Sequence, residues 1–199
     1  MAACAGTLLS ASGAHASRVW ALAEFGTGYV VGPYHFEGEA NPVFGGSGLL
    51  EFDATVQSPT IGLPGALGYS MPAGLALGVG ADLVIIPLPD VVLAETDLSV
   101  GYVTAFSAVA GFHPSESGLS LRFGVGFAQS AFAYGKNDIS SPDNIVEPEV
   151  VTGPIGSLGV GWLWSGVGVG GRISYARLSG DQSSFDPLIL SVGLLLETW

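Results

Sequence analysis

From Leu188 to Trp199 the chain reads LILSVGLLLETW, with Leu188, Leu190, Val192, Leu194 and Leu196 on one parity and Ile189, Ser191, Gly193, Leu195 and Glu197 on the other. A period of two predicts a β-strand with one apolar face, and its length is about that of a tilted strand crossing a bilayer. Seven further segments follow the same rule, with large apolar residues on one parity and Gly, Ser or Ala on the other. They are Arg18–Val31, Thr60–Met71, Leu75–Ile86, a segment from about Leu98 to Phe112, Leu119–Tyr134, Ile155–Leu163 and Val167–Leu178. Residues such as Val19, Phe25, Leu67, Val79, Phe106, Phe123, Val160 and Trp162 mark the outward parity. Gly26, Gly68, Gly78, Gly124, Gly161 and Gly170 are among the small residues of the inward one. The pattern predicts an all-β chain, an eight-stranded antiparallel up-and-down transmembrane β-barrel with its hydrocarbon side turned outward.

The connections support this arrangement. Short ones fall at 72–74, 113–118 and 164–166, and longer polar ones near 32–57, 87–97, 135–153 and 179–187. Transmembrane barrels of the bacterial outer membrane alternate short periplasmic turns with long extracellular loops and have an even strand number. Eight strands then place both termini in the periplasm. Glycines weaken a soluble strand, but on the inner wall of a narrow barrel they allow tight curvature and leave room for a few large residues. Two segments strain the scheme. Pro64 falls inside the second strand, where a bulge or a strand start at Gly65 would accommodate it. Gly48–Val56 alternates like a strand and reads as an extracellular extension, or as a further crossing that would change the strand count.

Composition agrees with the pattern. Of 199 residues 48% are hydrophobic, only 11% are charged and 31 are glycine, whereas a soluble domain carries about 25% charged residues. No run approaches the ~20 apolar residues of a spanning helix, and a closed barrel is the other way to satisfy every backbone group in lipid. The chain reads as one barrel domain, 17–199, preceded by a signal peptide, 1–16, ending Ala14-His15-Ala16. That leader resembles a cleavable signal, although no Lys or Arg precedes Arg18. Cys4 is the single cysteine and excludes an internal disulfide. The net charge of −12 excludes the basic footprint that nucleic-acid binding requires.

The candidate chemistry lies inside. Glu24, Asp82, Arg122 and Arg172 occupy inward positions at overlapping depths, with Glu197 nearer the periplasmic end. Lone buried charges are costly, so these are expected to pair. Arginine suits bidentate contact with carboxylates. The reading is an internal salt-bridge network that fills the lumen, the alternative a narrow polar path for ions or small solutes. No catalytic motif, metal-ligand spacing or cofactor signature occurs: CxxC, HExxH, P-loop and GxSxG are all absent. His35 in the first long loop and His113 in a short turn read as solvated loop histidines on opposite sides of the membrane. Thirteen of seventeen acidic residues, from Glu37 to Asp186, fall in the long connections or their mouths. They form a solvated face, with divalent-cation bridging as the sharper reading. Trp20, Tyr29, Tyr69, Tyr102, Trp162, Trp164, Tyr175 and Trp199 fit interfacial aromatic girdles.

Through alternating stretches such as LSLRFGVGFAQSAF and VGVGGRISYARL and its terminal aromatic strand, the chain resembles the small eight-stranded outer-membrane β-barrels of Gram-negative bacteria, the OmpA/OmpX-type group. The resemblance covers Ser17 to Trp199. It implies residence among outer-membrane lipid as a monomer, and insertion by the barrel assembly machinery, which recognises a C-terminal strand ending in Phe or Trp. Trp199 departs from that pattern, because it stands on the opposite parity from Leu188 to Leu196. Ser174–Asp181 (SYARLSGD) is similar to the strand-to-loop region of the lipid A deacylases, where a His-x-Ser pair acts. Here Arg177 stands in the histidine position before Ser179, and arginine cannot serve as a general base. The expectation is a non-enzymatic integral barrel without cofactor, envelope-structural or surface-binding through acidic extracellular loops. A porin-like path, a lipid A-modifying enzyme and a soluble lipocalin-like carrier are the alternatives.

Overall fold

The computed structural model describes residues 18–39, 49–88, 98–114, 118–135 and 150–198. The signal-like segment, Trp199 and most of the acidic connections lie outside these residues. The strands are β1 (Arg18–Glu39), β2 (Leu49–Gly62), β3 (Gly65–Met71), β4 (Leu75–Leu88), β5 (Leu98–Phe112), β6 (Gly118–Gly135), β7 (Val150–Trp164), β8 (Val167–Ala176), β9 (Leu178–Ser179), β10 (Ser183–Phe185) and β11 (Leu188–Thr198). β2 and β3 are two halves of one stave, and β9 and β10 form a small hairpin. The eight staves β1, β2/β3, β4, β5, β6, β7, β8 and β11 pair antiparallel with their neighbours in turn. β11 closes the ring against β1, from Ala21↔Thr198 to Val31↔Leu188. The wall is thus an eight-stranded antiparallel up-and-down barrel.

The side-chain parity is that of a barrel turned inside out. Phe106 is 71% exposed and Phe127 70%, and Val79, Val125, Leu67, Phe25 and Leu194 are also largely exposed on the outside. Trp20, Val30, Leu163 and Leu195 are fully buried inside. On β7 the apolar band runs from Pro154 to Trp164 and on β4 from Leu75 to Ile85, about the span of a tilted transmembrane strand. Water does not favour so large a continuous hydrocarbon surface, whereas lipid does. The soluble carrier would require the reverse orientation. Across the inner wall Gly26 faces Gly193 and Gly68 faces Gly78. A Cβ on any of these four would press on the opposing backbone, so the tight curvature requires glycine there.

The tight turns at 72–74 and 164–166 lie at one end, beside the end of β5 and the start of β6. Ser165 and Gly166 both have positive φ, 55° and 89°, as the two-residue hairpins favoured by strand twist require. The strands are longer at the other end than the pattern indicates. β1 continues to Glu39, and β2 already begins at Leu49, paired with it throughout. Leu49–Val56, the described part of that segment, therefore extends the second stave and adds no ninth crossing. His35 consequently sits on β1 rather than in a loop. The connection at 179–187 is not a free loop either: β9 pairs β7 and β10 pairs β1. The hairpin continues the wall above the ends of β8 and β11.

Pro64 produces no bulge. Ala23↔Gly65 and Gly26↔Gly62 keep one register with β1, and Gly65↔Ala81 and Gly62↔Val84 keep one with β4. Glu24 N–H still donates to the Pro64 carbonyl at 2.8 Å, and Leu63 N–H to the Leu83 carbonyl at 2.8 Å. The proline therefore removes only the return bond to the Glu24 carbonyl, which a closed wall tolerates.

Candidate functional site

The barrel interior carries the polar chemistry of the described residues. Arg122 on β6 donates from Nη1 to Glu24 Oε2 on β1 at 2.9 Å. Arg172 on β8 meets Asp82 Oδ1 on β4 at 2.9 Å. His113, just after β5, lies with Nε2 3.0 Å from Glu197 Oε1 on β11. Each pair joins staves on opposite sides of the eight-membered ring. The three pairs are therefore diametric struts rather than contacts along the wall. The structure brings together the four residues Glu24, Asp82, Arg122 and Arg172 as two pairs, with Glu197 in a third.

Local sequence makes room for the struts. Arg122, Gly159 and Arg172 stand side by side in one row across β6, β7 and β8. A Cβ on Gly159 would lie 3.2 Å from Arg122 Nε, and one on Gly170 the same distance from Nη2. The two glycines form the floor on which the guanidinium lies. A cavity of about 30 Å³ adjoins Arg122, Arg172, Asp82, Ser107 and Ser157, a size that admits water. A smaller one of about 10 Å³ lies between Glu24 and Arg172.

At the turn end, Glu197 is buried and accepts a hydrogen bond from Trp20 Nε1. The His113 side chain is fully buried and tilted against Trp20, with ring centroids 6.4 Å apart. Backbone bonds draw the turns into the same hub: His113 N–H to the Gly74 carbonyl at 2.6 Å, and Glu197 N–H to the Gly166 carbonyl at 2.7 Å. Two expectations are corrected here. His113 is not a solvated loop histidine, because one residue past β5 it continues that strand's inward parity and its ring is buried. Trp20 is not a girdle residue, because it stands on the inward parity with Leu22 and Glu24. Tyr29, Tyr69, Trp162, Trp164 and Tyr175 do face outward.

The loop-end half of the lumen differs. Val30, Tyr34, Val84, Ile86, Val103, Val151, Ile155, Leu178, Phe185 and Ile189 form one buried apolar cluster. Phe185 from the β10 hairpin meets Tyr34 edge-on at 6.3 Å. The inward parity was expected to hold small and ionic residues, and this cluster corrects it. Its signal was present in the sequence: Val30, Ile86, Val103, Ile155 and Ile189 are all inward and all near the loop end of their strands. Dividing each strand into halves would have found it. Among the described residues no group of three His, Cys, Asp or Glu side chains could hold a metal ion. His35 pairs outside with Asp53 at 2.8 Å, far from His113. Arg177 and Ser179, the pair tested against the deacylase pattern, are both exposed at the rim.

An eight-stave wall with an apolar exterior and a lumen crossed by ion pairs defines a small β-barrel of the outer-membrane type. No family model matches the chain, and no curated protein matches it in sequence. Solved structures of this fold do match. OprG of Pseudomonas aeruginosa is similar with a TM-score of 0.54 and 10% identity, over 92% of this chain and 97% of that one. Neisserial surface protein A is similar with a TM-score of 0.52 and 14% identity, over 92% and 99%. The N-terminal barrel domain of P. aeruginosa OprF gives 0.51 and 14%, over 92% and 100%. At these identities the likeness is one of fold.

Proposed function

We propose that this chain is an integral outer-membrane barrel of non-enzymatic function, with a closed lumen and an acidic outer end that stabilises the envelope or binds a partner. The observation that carries the reading is the filling of the lumen in three successive layers. The Trp20–His113–Glu197 hub closes the turn end, the two arginine struts cross the middle, and the Phe185 cluster closes the loop end. Removal of any one layer leaves two others in place. A barrel so filled has its working surface outside, and its loop-end strand extensions and connections together carry most of the acidic residues. The tight turns then face the periplasm, where both termini lie. Lipid surrounds the apolar belt, the barrel assembly machinery inserts the chain, and the wall, closed on itself, needs no second copy.

Refolding the full chain into lipid vesicles and planar bilayers tests this. The expected result is heat-modifiable gel migration, which marks a folded barrel, together with no stable conductance. Large steady conductance from the folded form would overturn the closed lumen and favour a porin-like path. Release of fatty acid from purified lipopolysaccharide by the same preparation would overturn the non-enzymatic assignment.

A further inference from the structure

The charged layer in the middle of the lumen is not fully paired. Arg122 gives Glu24 a hydrogen bond from Nη1 alone. Its Nε and Nη2 are buried without a hydrogen-bond partner among the described residues, and the side chain is only 7% exposed. Buried donors left unpaired are costly, and more so on a charged group. The Nε–Nη2 edge is one of the forks with which a guanidinium grips an anion.

The cavity beside this residue carries an excess of positive charge. Arg122, Arg172 and Asp82 border the space of about 30 Å³, two cations against one carboxylate. Asp82 is already engaged by Arg172. Glu24, the counter-charge of Arg122, borders the smaller cavity and not this one. Two hydroxyls supply further donors, Ser107 on β5 and Ser157 on β7. Both converge over Gly124, where a Cβ would stand 2.5 Å from Ser157 Oγ and 3.6 Å from Ser107 Oγ. Each hydroxyl can turn its proton towards a ligand.

We propose that this cavity binds one small monovalent anion, of the size of chloride or bromide, against Nε and Nη2 of Arg122 and the hydroxyls of Ser107 and Ser157. A single negative charge balances the excess, and the volume admits a water-sized ligand. The Trp20 hub and the Phe185 cluster close the bore on either side, so the ion enters as the barrel folds and leaves slowly. That slow release rests on the closed lumen; the site itself does not.

Bromide is the probe. The full chain is refolded in sodium bromide, transferred to gluconate, whose anion is too large for the cavity, and its retained bromide counted by elemental mass spectrometry. About one bromide per folded chain is expected, since the cavity admits a water-sized ligand. The urea midpoint should also be higher in bromide than in gluconate at equal ionic strength, and should rise with bromide concentration as binding to the folded form requires. Arg122→Lys keeps a charge for Glu24 but lacks the fork, and Ser157→Val fills the cavity with a methyl group. Each variant, once heat-modifiable migration shows it folded, should retain no bromide and lose the bromide-dependent shift. Should Arg122→Lys not fold, Ser157→Val carries the test. A bromide-dependent shift without retention supports the site and overturns the closed lumen. Neither retention nor a shift in the wild-type chain means that water alone fills the cavity, and overturns the site. Equal retention by the wild-type chain and the folded variants marks an adventitious ion only, and overturns it as well.

Discussion

The two halves of the lumen solve one packing problem by different means. Towards the loops, wall strands of ordinary inward residues are filled by valine, isoleucine and two aromatic rings, and the filler arrives in part on the β9–β10 hairpin. Towards the turns, glycines pare the wall back and a few long side chains cross the bore as ion pairs. The apolar half resembles the core of a soluble protein and should tolerate loss by partial collapse. The ionic half cannot collapse, since a strut that loses one end leaves a charge stranded among glycines. That difference predicts unequal responses to mutation.

The largest effect is expected from breaking a strut at one end. Glu24→Ala leaves the Arg122 guanidinium buried without its carboxylate, and such a loss costs about 3–5 kcal/mol. Urea unfolding in lipid vesicles, followed by gel migration, measures it. Replacing both partners together, Glu24→Leu with Arg122→Met, should recover most of that loss, because the desolvation penalty goes with the charges. A double variant as unstable as the single one would show that the pair does more than neutralise itself.

A smaller loss is expected in the apolar half. Phe185→Ala removes a fully buried ring, and about 3 kcal/mol, the lower end for such a truncation, is expected because the short hairpin can settle inward. Conductance should remain absent, since the struts and the Trp20 hub still cross the bore. A Phe185→Ala barrel that conducts steadily would mean that the apolar half alone seals the lumen, and the comparison would reverse.

The wall was far more legible in the sequence than its contents. Lipid imposes a period of two on every stave, so Leu188–Leu196 or Leu119–Phe127 declare their outward face unaided, and the eight-fold count follows from their spacing. Glu24, Asp82, Arg122 and Arg172 stood out because charge is rare on the inward parity. Which carboxylate meets which arginine depends on stagger around the ring, and that is a property of the closed barrel rather than of any strand. His113 was misplaced although its parity was readable: it continues the inward odd positions Val103, Ala105 and Gly111 one residue past the end of β5, and reading it as part of a turn hid that. The β9–β10 hairpin was hidden because Gly180, Asp181 and Gln182 look like loop, while the burial of Leu178 and Phe185 is set by strands distant in sequence.

Pro64 offers the finest test of how the two halves join, because it lines both small cavities at the level of the struts. Pro64→Ala supplies an N–H where the Glu24 carbonyl is already in register to accept it, worth about 0.5–1.5 kcal/mol. It also withdraws ring atoms from the lumen, and that loss is of similar size, about 0.8 kcal/mol per buried methylene. The net change in stability should therefore be within about 1 kcal/mol of zero. Amide exchange is the sharper measurement. The N–H that Pro64→Ala introduces should be as well protected as that of Glu24, and β2 and β3 should merge into one uninterrupted strand. Rapid exchange of that new amide would mean that the interruption belongs to the curvature of the sheet at the charged layer, with the proline a passenger at a site already bent.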